Sequence, residues 1–140
     1  MEIIESGRTL HEVAEDGPAG VRLAAGGSGR TEMADLHPGR LQRLVVAMDQ
    51  SGDQADVVLV DTGAGIGRAT TCFLYALGEI VVVTTPDVTA MTDGYAVIKN
   101  VARNNRGARL LLIVNRVVSA VEGIEVYMRM DRICQKFLGR

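Results

Sequence analysis

The sequence contains no tryptophan, and phenylalanine and tyrosine bring the aromatic share to only 4%. Aromatic platforms of the kind on which RNA-binding and single-strand-binding modules stack bases are therefore scarce. A basic excess is missing too: 15 Lys and Arg stand against 17 Asp and Glu, a formal net charge of −2, whereas a domain that grips phosphates is normally cationic. Direct nucleic-acid binding is not expected. Only two cysteines are present, Cys72 and Cys134, far apart and without a CxxC pair. They suggest neither a disulfide framework nor a zinc site, and they suit a reducing cytoplasm. No apolar run approaches the ~20 residues that cross a bilayer. The longest are IVVV from Ile80 and LLLIV from Leu110, so no membrane-spanning segment is expected. MEIIESGRTL, at the start, is acidic and has no apolar block of signal-peptide length, so a cytoplasmic location is expected.

What is present is a 140-residue chain, 47% hydrophobic and 23% charged, which has the size and composition of one globular domain or a piece of a larger one. Four aliphatic runs punctuate it: VRLAA from Val21, DVVLVD from Asp56, EIVVVTT from Glu79 and ARLLLIVN from Ala108. They are apolar at consecutive positions and do not alternate, which is the pattern of parallel strands buried on both faces. Between and after them lie stretches of helical length: 31–48, with a fresh start near Pro38, then 68–77, 89–104 and 121–138. This order predicts an α/β fold with a parallel sheet covered by helices on both faces. Gly17-Pro18 and Gly26 to Gly29 bracket the first run, and Asn104 to Gly107 end the third helix with residues that tolerate left-handed geometry.

Ligands in such folds bind beyond the carboxyl ends of the strands, where loops meet helix N-termini. That directs attention to Gly26 to Gly29, Asp61 to Gly67, Thr84 to Asp87, and Asn115-Arg116. DTGAGIG from Asp61 sets a carboxylate at the end of an aliphatic run and then three glycines, whose backbone N–H groups an anion can approach closely. A nucleotide with a divalent cation requires that combination. TGAGIGRAT also resembles the cofactor loop of short-chain dehydrogenases, with Tyr95 and Lys99 one helical turn apart as in their catalytic pair. The glycine pattern does not complete, however, and Tyr95 follows the glycines by a single strand where those enzymes insert several βα units, so both side chains read as ordinary helix-surface residues.

Taken in order, ADVVLVDTGAGIG from Ala55, VVVTTPDVTAMTDGYAVIK from Val81 and LLLIVNRVVSAVEGIEVYMRM from Leu111 resemble the MinD/ParA family of deviant P-loop ATPases, in its flagellar-number regulator (FlhG/FleN-type) branch. The upstream TLHEVAEDGPAGVRLAAGGSG from Thr9 resembles the same branch, so the likeness extends over nearly the whole chain. The resemblance implies a P-loop NTPase fold, ATP with Mg²⁺ as ligand, a homodimer or a full-length MinD-like protein as partner, and flagellar assembly or regulatory proteins beyond it. It also implies peripheral association with the inner face of the membrane. Asp61 matches the switch II acid that helps hold Mg²⁺ through water. Gly63, Ala64 and Gly65 match the backbone that senses the γ-phosphate. Asn115 and Arg116 match the strand end that contacts adenine, and Pro86, with Asp87, a neighbouring loop.

The family's phosphate-binding loop needs a lysine on the β- and γ-phosphates followed by Ser or Thr for Mg²⁺. The two lysines here, Lys99 and Lys136, both lie within helical stretches, and Gly26 to Gly29 are followed by Arg30 and Thr31. Against the family pattern the chain is expected to be an interior portion forming a single partial domain over 1–140, lacking the P-loop and not hydrolysing ATP alone. A non-catalytic interaction module that pairs through the surface around Thr89 to Asn104 is the alternative expectation. The helix from Val121 carries Ile124, Met128 and Ile133 among Glu125, Arg129 and Arg132, and these apolar residues are expected to pack against the sheet and not to bind membrane.

Overall fold

The computed structural model describes residues 8–25, 38–50 and 55–139. The chain divides into two compact units, one of Met1–Gly63 with Gly67–Cys72, the other of Ala64–Ile66 with Phe73–Arg140.

In the first unit, Thr9 caps a single helical turn, α1 (Leu10–Val13). The Thr9 Oγ1 accepts the Glu12 N–H at 3.3 Å, and the Glu12 carboxylate accepts the Thr9 N–H at 2.7 Å, a reciprocal capping box. These hydrogen bonds hold the Glu12 carboxyl below its ordinary pKa. A two-residue strand β1 (Glu15–Asp16) pairs antiparallel with β2 (Arg22–Leu23) around a turn at Pro18–Gly20, where Ala19 and Gly20 take positive φ of 56° and 79°. Arg22 fastens the hairpin: its Nη2 donates to the carbonyls of His11 at 2.8 Å and Ala14 at 2.9 Å, and its Nε pairs with Asp16 at 3.3 Å. Further along lies α2 (Pro38–Asp49), which starts at the proline as the sequence indicates.

Two strand expectations fail in this unit. VRLAA forms only the antiparallel β2, because the turn at Ala19 and Gly20 returns the chain onto Glu15 and Asp16, which become its ladder partners. DVVLVD is not a strand: 57–63 has no regular structure, with Val57 72% and Leu59 88% exposed. A strand exists through its ladder partner, and without one an apolar run stays as unpaired chain. The glycine-rich turn at Gly26 to Gly29 and the helical expectation over 31–37 lie outside the described residues.

The second unit is a βαβ crossover. β3 (Glu79–Thr84) and β4 (Arg109–Val114) are parallel and pair residue for residue from Glu79↔Arg109 to Thr84↔Val114, with α4 (Val88–Asn104) between them and α5 (Ala120–Leu138) after them. Asp87 caps α4, its carboxylate accepting the N–H groups of Thr89 at 2.8 Å and Ala90 at 3.1 Å; Ser119 caps α5. α5 closes on Gly139, left-handed at φ 69°, whose N–H reaches the Gln135 carbonyl.

One face of the strand pair is packed. Ile80 and Val82, with Leu110, Leu112 and Val114 beside them, meet Met91, Ile98 and Val101 of α4 and Val126, Met130 and Cys134 of α5. Burial pushes the Cys134 thiol pKa up, with Asp131 adding to the shift, and burial does the same for Cys72. Gly94 lets α4 lie close on β3, since a Cβ there would sit 3.6 Å from Val82 Cγ1 and Thr84 Cβ. The other face, carrying Val81, Val83, Leu111 and Ile113, is exposed. Among the described residues, helices therefore cover one face of the parallel pair and not both, and the sheet has two strands. The remaining helix, α3 (Arg68–Ala76), begins in the first unit and ends in the second.

Candidate functional site

Parallel pairing puts the carboxyl ends of β3 and β4 at the same edge. The ladder runs one step past both strands, the Asn115 N–H donating to the Thr84 carbonyl at 2.8 Å. Pro86 and Asp87 leave β3 at this edge, and Asn115 and Arg116 leave β4, so the structure brings these sequence-derived candidates to one end of the second unit. Thr84 is 2% exposed, with its hydroxyl turned to the Thr85 carbonyl at 3.4 Å. Pro86 is half-buried and starts the turn into α4, which the Asp87 cap then fixes.

Arg116 holds a left-handed backbone, φ 57°, which residues with a Cβ rarely adopt. The neighbouring side chain supports it: Asn115 Oδ1 accepts the Arg116 N–H at 2.8 Å. This leaves the Asn115 Nδ2 as a donor with no described partner, beside an exposed guanidinium in no ion pair with a described residue. The edge thus offers an amide donor and a cation, the groups that recognise a polar heterocycle and an anion.

The switch-like segment straddles the two units: Asp61 and Gly63 belong to the first, Ala64 and Gly65 to the second. Asp61 is exposed, and no described residue hydrogen-bonds its carboxylate. The Gly63 carbonyl accepts from Thr70 Oγ1 at 3.5 Å. Gly65 has φ 91°, so the glycine there serves a conformation that a Cβ would strain. After Gly67, α3 starts, with the Thr71 N–H on the Gly67 carbonyl at 2.9 Å. No three metal-ligating side chains cluster among the described residues. A Mg²⁺ ion usually takes one or two carboxylates and completes its shell with water and phosphate oxygens, so a free Asp61 carboxylate fits that ion without a protein cage.

Sequence reading missed Asn105. Its Nδ2 donates to the carbonyls of Leu74 and Leu77, each at 3.0 Å, and so finishes the C-terminus of α3 from the end of α4. Close by, Tyr75 donates to Asn100 Oδ1 at 2.6 Å. The run Asn104 to Gly107 contains no left-handed residue; Asn105 sits at φ −139°, its side chain committed to α3. Only asparagine's two amide hydrogens, able to serve two carbonyls at once, hinted at this. Tyr95 is half-buried against the core and is not the surface residue expected of it. α4 turns Met91, Ile98 and Val101 inward, and its exposed positions after the first residue, Val88, are the polar Thr89, Thr92, Asp93, Arg103 and Asn104.

The second unit defines a class: an α/β unit whose candidates Pro86, Asn115 and Arg116 lie at the carboxyl ends of its parallel strands, where ligands bind in such folds. No family model matches the chain. It is 33% identical over 137 residues to the antiactivator FleN of Pseudomonas aeruginosa, across 98% of this chain and 49% of FleN. To the flagellum site-determining protein YlxH of Helicobacter pylori it is 42% identical over 95 residues, across 64% of this chain and 32% of YlxH. The chain thus spans about half the length of FleN and about a third of YlxH. It belongs to the MinD/ParA family, in the branch of flagellar-number regulators. Among the described residues no helix is long and apolar enough to cross a membrane.

Proposed function

We propose that the chain is the switch and base-side part of a regulator of flagellar number and placement that works through ATP and Mg²⁺. The observation that carries this reading is the identity to FleN across 98% of the chain, with the glycine loop and both strand-end motifs inside the matched span. Asp61 would hold Mg²⁺ through water, and the metal would neutralise phosphate charge. Gly63, Ala64 and Gly65 would present backbone N–H groups to the terminal phosphate, with Gly65 supplying the left-handed step. Pro86, Asn115 and Arg116 would border the base, the free Asn115 amide donating to it. Phosphoryl transfer rests on positioning and charge stabilisation of the γ-phosphate. These 140 residues contain no GK[ST] sequence to provide them, so this chain by itself is expected to bind nucleotide weakly and not to turn it over. Its partners would be a second copy or a complete MinD-like protein, and proteins of the flagellar system, all in the cytoplasm.

Two measurements test this. Flagella are counted per cell in P. aeruginosa with and without expression of the chain: a changed number supports the flagellar role, and an unchanged number at confirmed expression overturns it. Binding of a fluorescent ATP analogue with Mg²⁺ is compared for the native chain, Asp61→Ala and Asn115→Ala. Weakening in both variants supports the residue roles, equal binding in all three refutes them, and Mg²⁺-dependent phosphate release abolished by Asp61→Ala overturns the non-hydrolytic reading.

A further inference from the structure

Helix α5 turns Val126, Met130 and Cys134 inward, while Ile124 and Met128, expected against the sheet, are 58% and 54% exposed. The inward row covers β4 incompletely. Ile80, Val82 and Thr84, the inward residues of β3, are all buried, whereas Leu110, Leu112 and Val114 of β4 are only half-buried. Beside them lies a cavity of about 230 Å³ that reaches Ile98 of α4 and Met130 and Cys134 of α5. Three consecutive residues of β4, Leu110 to Leu112, line it together with exposed Tyr127, which places it along the strand's open edge. A cavity of roughly 150 Å³ takes up benzene, so this one has room for an aliphatic side chain. The backbone along this edge is unpaired too. The N–H groups of Arg109 and Asn115 donate to the Gly78 and Thr84 carbonyls, so the odd-numbered residues of β4 serve the ladder with β3. The N–H and C=O groups of Leu110, Leu112 and Val114 therefore point the other way, where no described strand pairs with them.

Another segment of the chain has the complementary defect. DVVLVD, over 56–61, is apolar at four consecutive positions yet forms no ladder, and Val57 and Leu59 are left in solvent. A strand added to β4 sets alternate side chains over the cavity and the others beside Leu111 and Ile113 on the exposed face. It must then be apolar on both faces, as this run is. An extended backbone is also what the edge itself requires, since a helix has bonded its own N–H groups and a lipid tail has none. Asp131 is the charged residue lining the cavity, and the run keeps its acids, Asp56 and Asp61, at its two ends, as β4 keeps Arg109 and Arg116 at its own.

We infer that two copies of this chain associate by reciprocal strand addition, the DVVLVD run of each joining the open edge of β4 in the other. Main-chain hydrogen bonds hold such a strand, and its alternate side chains fill the pocket beneath. Reciprocity closes the assembly as a twofold dimer. The outer edge of β3 is unpaired as well, but its inward residues are already buried, so an added strand gains less there. The inference gives a surface to the second copy proposed above and rests on that part of the reading alone. It needs no nucleotide, so its failure leaves the flagellar and nucleotide roles to their own tests.

The test uses the full chain without nucleotide, in sedimentation velocity over a concentration series and in disulfide mapping. The native chain is expected to sediment as a dimer and Val58→Pro as a monomer with unchanged circular dichroism, because the proline removes a ladder N–H from a run that is unpaired within one copy. For mapping, Val58→Cys and Leu59→Cys are each mixed with Leu111→Cys or Ile113→Cys, oxidised mildly, and the links between copies are located by peptide mass. Neighbouring strands set Cβ atoms about 5 Å apart, close to disulfide reach. One of the two run positions is expected to link to β4 and the other not, since alternate side chains face opposite ways. Neither should link to Val81→Cys, one strand further and about 10 Å away. A monomer at every concentration overturns the inference. So does a dimer that Val58→Pro leaves intact, a link to Val81→Cys as strong as that to β4, or a link between the run and β4 that forms only within one copy of a double variant.

Discussion

Asn105 makes the sharpest test of the fold. Its amide donates two hydrogen bonds of 3.0 Å to the last carbonyls of α3, and its side chain is half-buried. A typical hydrogen bond contributes a net 0.5–1.5 kcal/mol, so Asn105→Ala is expected to cost about 1–3 kcal/mol. With a urea m-value of roughly 2 kcal/mol/M, the midpoint falls by about 1 M. Because the chain has two compact units, the readout should be specific to the second. Hydrogen exchange of the Leu77 amide, bonded to the Phe73 carbonyl at 3.0 Å, reports on it directly. Asn105→Asp keeps the shape but exchanges the donor for a carboxylate facing two carbonyls, and should cost more than Ala at pH 7. Desolvation and the carbonyl dipoles raise the folded pKa of that carboxyl above its unfolded value of about 3.9. The folded state then binds more protons than the unfolded one, so stability falls as pH rises from the unfolded pKa through the folded pKa, and the two variants converge in acid. A midpoint for Asn105→Ala within about 0.2 M of the native chain, with Leu77 exchange unchanged, would refute the clasp.

Three further outcomes follow from the packing. Gly94→Ala places its Cβ in ordinary contact with Val82 and Thr84 and relieves a mid-helix glycine, so it should stabilise by about 0.5–1 kcal/mol, whereas Gly94→Leu should destabilise, both read from denaturation midpoints. The Glu12 carboxyl, lowered by its bonds to Thr9, stabilises α1 above its unfolded pKa and loses that contribution as pH falls through the folded value; an NMR titration should show Thr9→Ala raising it toward the ordinary range. Cys134, buried and with a raised thiol pKa, should react with a thiol reagent near pH 8 far more slowly in the native chain than in urea, and mass-resolved labelling at the native rate of an exposed thiol would refute its burial.

The helices were legible because their signals are local. Pro38 opens α2, Asp87 and Ser119 sit where caps belong, and the period of apolar residues sets the extents of α4 and α5 to within a residue. Strands depend on partners far away in sequence, so EIVVVTT and ARLLLIVN, joined by one crossover, were found, while DVVLVD has the same composition and no ladder. For the candidate site, position at the strand ends marked Thr84 to Asp87 and Asn115-Arg116, and parallel pairing brings these segments to one end of the second unit. The left-handed turn of Arg116 and the reach of Asn105 to α3 are tertiary facts that no local pattern carries. On α5, periodicity marked an amphipathic helix but could not say which of its two apolar rows, Val126 with Met130 or Ile124 with Met128, would turn inward.

The exposed face of the strand pair also bears on how this chain behaves at concentration. Its charges are confined to one end, where Glu79 and Arg109 pair at 2.8 Å, and the four aliphatic side chains beyond them have no charged residue between them. Such a pair acts as a gatekeeper against edge-to-edge and face-to-face aggregation only for the positions near it. Val83, on that face and far from the ion pair, is the position where one lysine would do most for soluble yield while leaving the Ile80 and Val82 side untouched.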